Sequence, residues 1–271
     1  MINSVCKMCS GSGGQTILDV SNCNDTYLDY MNIEYKKSKR FYLKCSECGF
    51  VYRNTYLTDK EKERLYSCFR DQGLRNENHE EYFDRISNMP IESSENGEKY
   101  IFLERFLKST GKHMDIGGGL GVFCYGFQKY FKNWESICVE PTDGADVIAK
   151  KHGVKSINTY LTESSVDLVG NNFDLITANH VVEHVDDPIE FLKMLKTFLE
   201  KDGLLCIEMP SSLDIGLLDK SHDRFMCQHE VIHDNKSVDF MANAAGLRVV
   251  DNSNYLSKRG RNNVRAVLTR A

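Results

Sequence analysis

A doubly wound α/β sheet, preceded by a small metal-held module, is the fold class this sequence predicts. Three observations predict it. Between His113 and Pro210, short apolar runs alternate with stretches of helical period, the pattern of a parallel sheet covered by helices. The first run, His113–Ile116, empties into Gly117, Gly118, Gly119 and Gly121, and the next closes on an acid, Glu140. Ahead of both, Cys6-Lys7-Met8-Cys9 and Cys45-Ser46-Glu47-Cys48 form two C-x-x-C pairs.

The bulk properties set limits. A chain of 271 residues with 41% hydrophobic content admits one large domain, or a medium domain with a small one. The net charge of −5 argues against a nucleic-acid partner gripped by a basic face. No run of about 18 apolar residues offers a membrane span. The opening MINSVCKMCS lacks the apolar core of a signal peptide, so a cytoplasmic location is the default expectation. In a reducing compartment, paired C-x-x-C motifs among ten cysteines read as metal ligands rather than disulfides.

Residues 1–57 read as a zinc-binding module. Cys6, Cys9, Cys45 and Cys48 make a closed tetrahedral set, as structural zinc requires. The ion replaces a core that so short a segment cannot build. The long separation of the pairs asks the segment between them, including Tyr27–Tyr35, to form a hairpin or loop, and Phe41–Leu43 and Phe50–Tyr52 are strand-like. Residues 58–112 read as a helical connector: a helix over Thr58–Ser67, a polar stretch over 69–81 broken by Gly73, a short helix over Glu80–Ile86, and a helix over Lys99–Lys108 ended by Gly111. Ser94, Glu95, Asn96 and Lys99, at the head of the last helix, are placed to line a site at the sheet.

Residues 113–271 read as the main domain. After the glycine bend comes a helix over Leu120–Phe131, with Val122, Phe123, Phe127, Tyr130 and Phe131 at helical spacing. A strand follows over Ser136–Val139. Glycines here admit a ligand where a Cβ would clash, and the following helix aims its free N–H groups at the same spot. An acid at the tip of the second strand can accept hydrogen bonds from ribose hydroxyls. The spacing rules out the dinucleotide fingerprint G-x-G-x-x-G: counting from Gly117 puts Val122 last, and from Gly119 puts Cys124 last. Further strands are expected over Val154–Asn158, Phe173–Asn179 and Leu204–Met209. A helix over Pro188–Lys201 is stopped by Gly203, Ser211–Lys220 is a mobile loop over the site, and a helix over Asp234–Ala245 precedes two closing strands, Leu247–Asp251 and Val264–Thr269.

What the bend does carry is D-x-G-x-G-x-G: Asp115, Gly117, Gly119 and Gly121. This resembles the first motif of class I S-adenosylmethionine-dependent methyltransferases. The resemblance implies a seven-stranded Rossmann-like sheet, with the methionine part of S-adenosylmethionine over the glycine turn and its ribose on Glu140 beside Pro141. It implies adenine near Asn158, and Asn179 at the end of the fourth strand; Ser94 belongs to the segment covering the cofactor. Asn179-His180-Val181-Val182-Glu183-His184-Val185, followed by Asp187-Pro188, resembles a pattern in methyltransferases of small-molecule and saccharide biosynthesis. From Tyr82 onward, Ser94–Asn96, Val139–Pro141, Glu208–Pro210 and Gln228–Glu230 resemble methyltransferases of polysaccharide and surface-sugar biosynthesis. The paired C-x-x-C segment resembles the zinc module of sugar methyltransferases. The acceptor implied is a sugar or nucleotide-linked sugar, with no nucleic acid. His229 is the expected base and His180 the second choice; Glu183 orients a histidine or a substrate hydroxyl, and one of His180 and His184 plays a structural hydrogen-bonding part.

Other readings start from the same residues. His180, Glu183 and His184 fit H-x-x-E-H and resemble the zinc helix of inverzincin peptidases, but a strand precedes them and Asp187-Pro188 starts a helix after them. A zinc ribbon could also serve an RNA methyltransferase, or an adaptor that binds S-adenosylmethionine without turnover.

Overall fold

The structure, a computed structural model, describes residues 5–33, 39–68 and 77–271. The break expected at Gly73 and the stretch at Glu34 and Tyr35 lie outside the described residues.

The N-terminal segment opens with β1 (Gly14–Asp19), α1 (Thr26–Tyr30), β2 (Phe41–Cys45) and β3 (Val51–Arg53). The expected loop around Tyr27 is a short helix capped by Asp25, whose carboxylate accepts from the Leu28 N–H and holds the Arg40 guanidinium at 2.5 Å in full burial. β1, which apolar patterning did not announce, pairs antiparallel with β2, and β2 with β3. The fourth strand of this sheet, β9 (Val231–Ile232), comes from far along the chain.

Among the described residues three α-helices connect. α2 (Asp59–Cys68) begins at the acidic first turn foreseen. α3 (His79–Ser87) is closed by a capping box between Asn78 and Glu81. α4 (Glu95–Glu104) starts four residues earlier than expected, because the buried Ser94 hydroxyl accepts from the Gly97 N–H at 2.8 Å and so sets the N-terminus.

The main sheet has seven strands in the order β10-β11-β8-β7-β4-β5-β6. They are β4 (Gly111–Ile116), β5 (Trp134–Val139), β6 (Lys155–Ile157), β7 (Phe173–Asn179), β8 (Leu199–Pro210), β10 (Leu247–Leu256) and β11 (Asn262–Arg270). All neighbours from β8 to β6 run parallel, and β11 enters antiparallel between β8 and β10. This is the mixed Rossmann-like sheet of class I methyltransferases. Helices α5 (Val122–Tyr130), α6 (Ala145–Lys151), α7 (Val166–Val169), α8 (Pro188–Phe198) and α9 (Asn235–Ala244) complete it. Several boundaries differ from the pattern: β10, for one, runs on to Leu256, past the expected Asp251. α8 ends at Phe198, and β8 already begins at Leu199, which pairs with Phe173. Gly203 therefore lies inside the strand, where a Cβ would stand 2.6 Å from the Phe173 carbonyl.

The two sheets share one core. Cys6, Met8, Leu43, Phe50 and Tyr52 pack in the same buried cluster as Met114, Ile176, Ile207, Val238 and Met241. Among the described residues no helix is long and apolar enough to cross a membrane.

Candidate active site

The parallel strands β4, β5 and β7 end on the same side, where open α/β sheets bind ligands. β4 delivers Asp115, buried in the strand next to its end. Its Oδ1 accepts from Thr177 Oγ1 at 2.5 Å and from Asn179 Nδ2 at 3.4 Å, both on β7. Burial pushes the Asp115 pKa up to about 7, against those hydrogen bonds and the Lys99 charge.

The bend then turns on glycines. Gly117 and Gly121 have φ of 66° and 77°, conformations that side chains resist. A Cβ on Gly117 would stand 2.6 Å from Val181 Cγ2, and one on Gly121 would meet Ala149. Gly121 also begins α5, whose first turn has no side-chain cap, so its N–H groups are left for a ligand. Glu140, directly after β5, ties the bend to the neighbouring strand. Its Oε2 accepts from the Gly119 N–H at 2.8 Å, and its Oε1 from the Thr142 N–H at 3.0 Å and Thr142 Oγ1 at 2.5 Å. One lone pair on Oε2 stays open, and the Thr142 hydroxyl can rotate away. An acceptor carboxylate beside a side-chain-free bend and a bare helix N-terminus fits the ribose and the amino-acid end of S-adenosylmethionine.

The other sequence-predicted residues are spread around this edge. Pro141 follows Glu140. Asn179 reaches back to Asp115. Asn158, exposed after β6, donates to Asp143 at 3.4 Å. Ser94 is occupied as the cap of α4.

A second group lies across the ends of β7 and β8. The turn after β7 is a single 3-10 turn, Val182–His184, so the helix on which a peptidase would mount its histidines is absent here. His180, with φ of 55°, sets Nδ1 3.2 Å from Glu183 Oε1 and Nε2 3.5 Å from Glu208 Oε1. Burial works against an imidazolium here, but the hydrogen bonds and charges of both carboxylates outweigh it and lift the His180 pKa to about 9. Glu183, despite burial, is held down to about 2 by His180 and its neighbours. The His184 and His229 rings stack at 5.4 Å. Burial lowers His229 to about 3, so its ring is neutral at physiological pH.

Sequence reading did not foresee the ion network beneath. Buried Glu208 takes Lys99 Nζ at 2.9 Å and Arg265 Nη1 at 4.0 Å. Its pKa is pulled far below the carboxylate range, chiefly by Lys99 against the opposing cost of burial. Charged residues inside the apolar runs of β8 and β11, opposite each other in register, were the available signal.

The tetrathiolate is the other centre. One sulfur from each of Cys6, Cys9, Cys45 and Cys48 lies within 4.8 Å of the rest, with Cys6 and Cys48 sulfurs 3.7 Å apart and those of Cys9 and Cys45 at 3.5 Å. Four soft donors with no open position suit structural zinc.

Sheet order, glycine bend and acidic strand tip together define a methyltransferase of the Rossmann-like class. A family model described as a methyltransferase domain matches residues 91–252, more than half of the chain, and the chain belongs to that family. An uncharacterised methyltransferase of Schizosaccharomyces pombe is 26% identical over 133 residues, 45% of this chain and 48% of that one. A ubiquinone biosynthesis O-methyltransferase of Actinobacillus pleuropneumoniae serotype 7 is 32% identical over 105 residues, 35% of this chain and 43% of that one. The chain thus spans less than half the length of these curated relatives. Among solved structures, magnesium protoporphyrin IX methyltransferase of Synechocystis PCC 6803, with bound S-adenosylhomocysteine, aligns with TM-score 0.57 at 11% identity, over 78% of this chain and 100% of that one. A SAM-dependent methyltransferase of Aquifex aeolicus aligns with TM-score 0.51 at 17% identity, over 70% and 99%. These last likenesses are of fold.

Proposed function

We propose that this chain transfers the methyl group of S-adenosylmethionine to a hydroxyl of a small-molecule acceptor, a sugar or nucleotide-linked sugar of surface-polysaccharide biosynthesis. The observation that carries this reading is the Gly119 N–H to Glu140 bond, which locks a D-x-G-x-G-x-G bend against an acid at the ligand-binding edge of the sheet. Asp115, Gly117, Gly119, Gly121, Glu140, Pro141, Asn158, Asn179 and Ser94 form the cofactor side, and His180, Glu183, His184 and His229 the acceptor side. The sugar acceptor is supported by the chemistry of that second group. Imidazoles and carboxylates offer hydrogen bonds to a hydroxyl-rich ring and little to a flat apolar one.

S-adenosylmethionine supplies an already activated methyl group, whose bond to sulfur breaks as the bond to the acceptor oxygen forms. The protein's own task is alignment and proton removal. His229, neutral, has its Nδ1 proton directed at the Asp223 carbonyl at 3.3 Å, which leaves Nε2 with a lone pair for the acceptor proton. His180, already protonated between two carboxylates, serves better as a fixed cation and hydrogen-bond donor than as a base.

Incubation with S-adenosylmethionine and a panel of nucleotide-linked sugars, read by mass spectrometry, is expected to give a singly methylated product. On that acceptor His229→Ala lowers kcat by about 10²-fold, with adenosylhomocysteine affinity unchanged. Full turnover in that variant removes His229 as the base.

Asp115 gives a pH dependence. Its native pKa is raised, so it holds a proton below about pH 7 and is a carboxylate above. A sulfonium or ammonium group nearby is attracted only to the charged form. Affinity for the cofactor is therefore expected to rise as pH increases through 7, and Asp115→Asn to flatten the profile. Calorimetry between pH 6 and pH 8.5 reads both.

A further inference from the structure

The tetrathiolate is one of two groups of metal-ligand side chains among the described residues; the other is Glu183, His184 and His229, one ligand atom of each lying within 4.8 Å of the others. Their orientation is unusual for chance neighbours. His184 Nδ1 is 2.8 Å from the Gln228 carbonyl, and His229 Nδ1 is 3.3 Å from the Asp223 carbonyl. A carbonyl only accepts, so both Nδ1 atoms carry a proton, and in the neutral ring each Nε2 keeps its lone pair for a ligand. Anchoring one ring nitrogen on a carbonyl so that the other can ligate is how proteins prepare histidine for a metal. His184 Nε2 stands 4.0 Å from Glu183 Oε1, too far for a direct hydrogen bond. Glu183 is 1% exposed, and its Oε2 is buried with no hydrogen-bond partner among the described residues. Glu183 Oε1 is held by His180 Nδ1 at 3.2 Å, and its Oε2 is left over for a further interaction beside the two imidazoles.

We infer that Glu183, His184 and His229 form a second metal site, for a divalent first-row transition ion. Two imidazoles and one carboxylate suit zinc, iron(II), cobalt(II) or manganese(II) and leave coordination positions open. Ligands about 2.1 Å from an ion stand roughly 3.4 Å apart in a tetrahedron, so loading draws the three together by about an ångström. Of the two histidines of the H-x-x-E-H peptidase pattern only His184 is a ligand here: both ring nitrogens of His180 are taken by Glu183 and Glu208, and His229 comes from the loop before β9. This inference rests on the proposed acceptor side for its consequence. An acceptor hydroxyl bound to the ion loses its proton to water more readily, so His229 serves as the proton acceptor only while the site holds no ion.

Ion binding is measured without any acceptor, which separates it from the proposed reaction. Protein holding one zinc per chain is titrated with cobalt(II), read by absorption and calorimetry. The expected result is one further equivalent, with visible d–d bands and no thiolate-to-cobalt charge transfer. His184→Ala and Glu183→Gln each weaken that equivalent by about 100-fold or more, while zinc content stays at one per chain. No binding beyond the first metal, charge-transfer bands showing displacement at the cysteines, or unaltered binding in both variants overturns the site.

Discussion

Removing zinc from the tetrathiolate, by chelation or by Cys45→Ser, is expected to disorder the proposed acceptor side while the proposed cofactor side keeps its shape. The reason is the route of the chain. β3 pairs with β9 through Val51–Ile232 and Tyr52–Val231. The Arg53 N–H donates to the Glu230 carbonyl at 3.0 Å, and Arg53 Nη2 to the Cys227 carbonyl at 2.7 Å. Tyr42 Oη donates to the His229 carbonyl at 2.8 Å, and the Leu57 N–H to Glu230 Oε1 at 2.5 Å. Every residue from Cys227 to Ile232 except Gln228 is thus tied to the zinc-held sheet. Structural zinc contributes on the order of 10 kcal/mol to small folds of this kind, more than the whole stability of many domains. Hydrogen exchange at 227–233 is expected to accelerate by at least about 10³-fold, with residues 113–121 little changed, and turnover to fall below detection. Unaltered protection at 227–233 in metal-free protein would show that the module stands apart from the site.

The second large effect is expected from Gly117→Val. A β-branched residue at φ of 66° costs about 1–3 kcal/mol in backbone strain. Its Cβ would also meet Val181 Cγ2 at 2.6 Å, and overpacking adds about 1–3 kcal/mol. Relief comes by opening the bend, which removes the Gly119 N–H from Glu140. Affinity for adenosylhomocysteine is expected to fall by about 10³-fold or beyond detection. Glu140→Ala, which removes the carboxylate and leaves the glycines, is expected to cost about 10²-fold, the worth of charge-assisted hydrogen bonds. Wild-type affinity in both variants, with the fold intact by circular dichroism, would refute the assignment of the bend.

Much of this was legible because it is local. The glycine bend, its acid and the two C-x-x-C pairs are short-range devices, each readable within a few residues, and the alternation of elements announced the sheet. What escaped detection is long-range. Nothing near Val231 says that it pairs with Tyr52, 179 positions earlier in the chain, because a two-residue strand has no pattern of its own. The Lys99–Glu208–Arg265 network joins three elements distant in sequence, each charge reading as an isolated oddity. Helix limits slipped where a single side chain decided them, as Ser94 does for α4. At the proposed acceptor side, sequence named His229 and Glu183 but not their shared geometry, since the loop carrying His229 is placed by the zinc-held sheet.

The central claim is that the side-chain-free bend between Asp115 and Glu140 holds the methyl donor. A crystal structure with adenosylhomocysteine tests it most directly. The ribose hydroxyls are expected on Glu140 and the amino-acid end over Gly117–Gly119. Electron density for the compound anywhere else on the chain would contradict it.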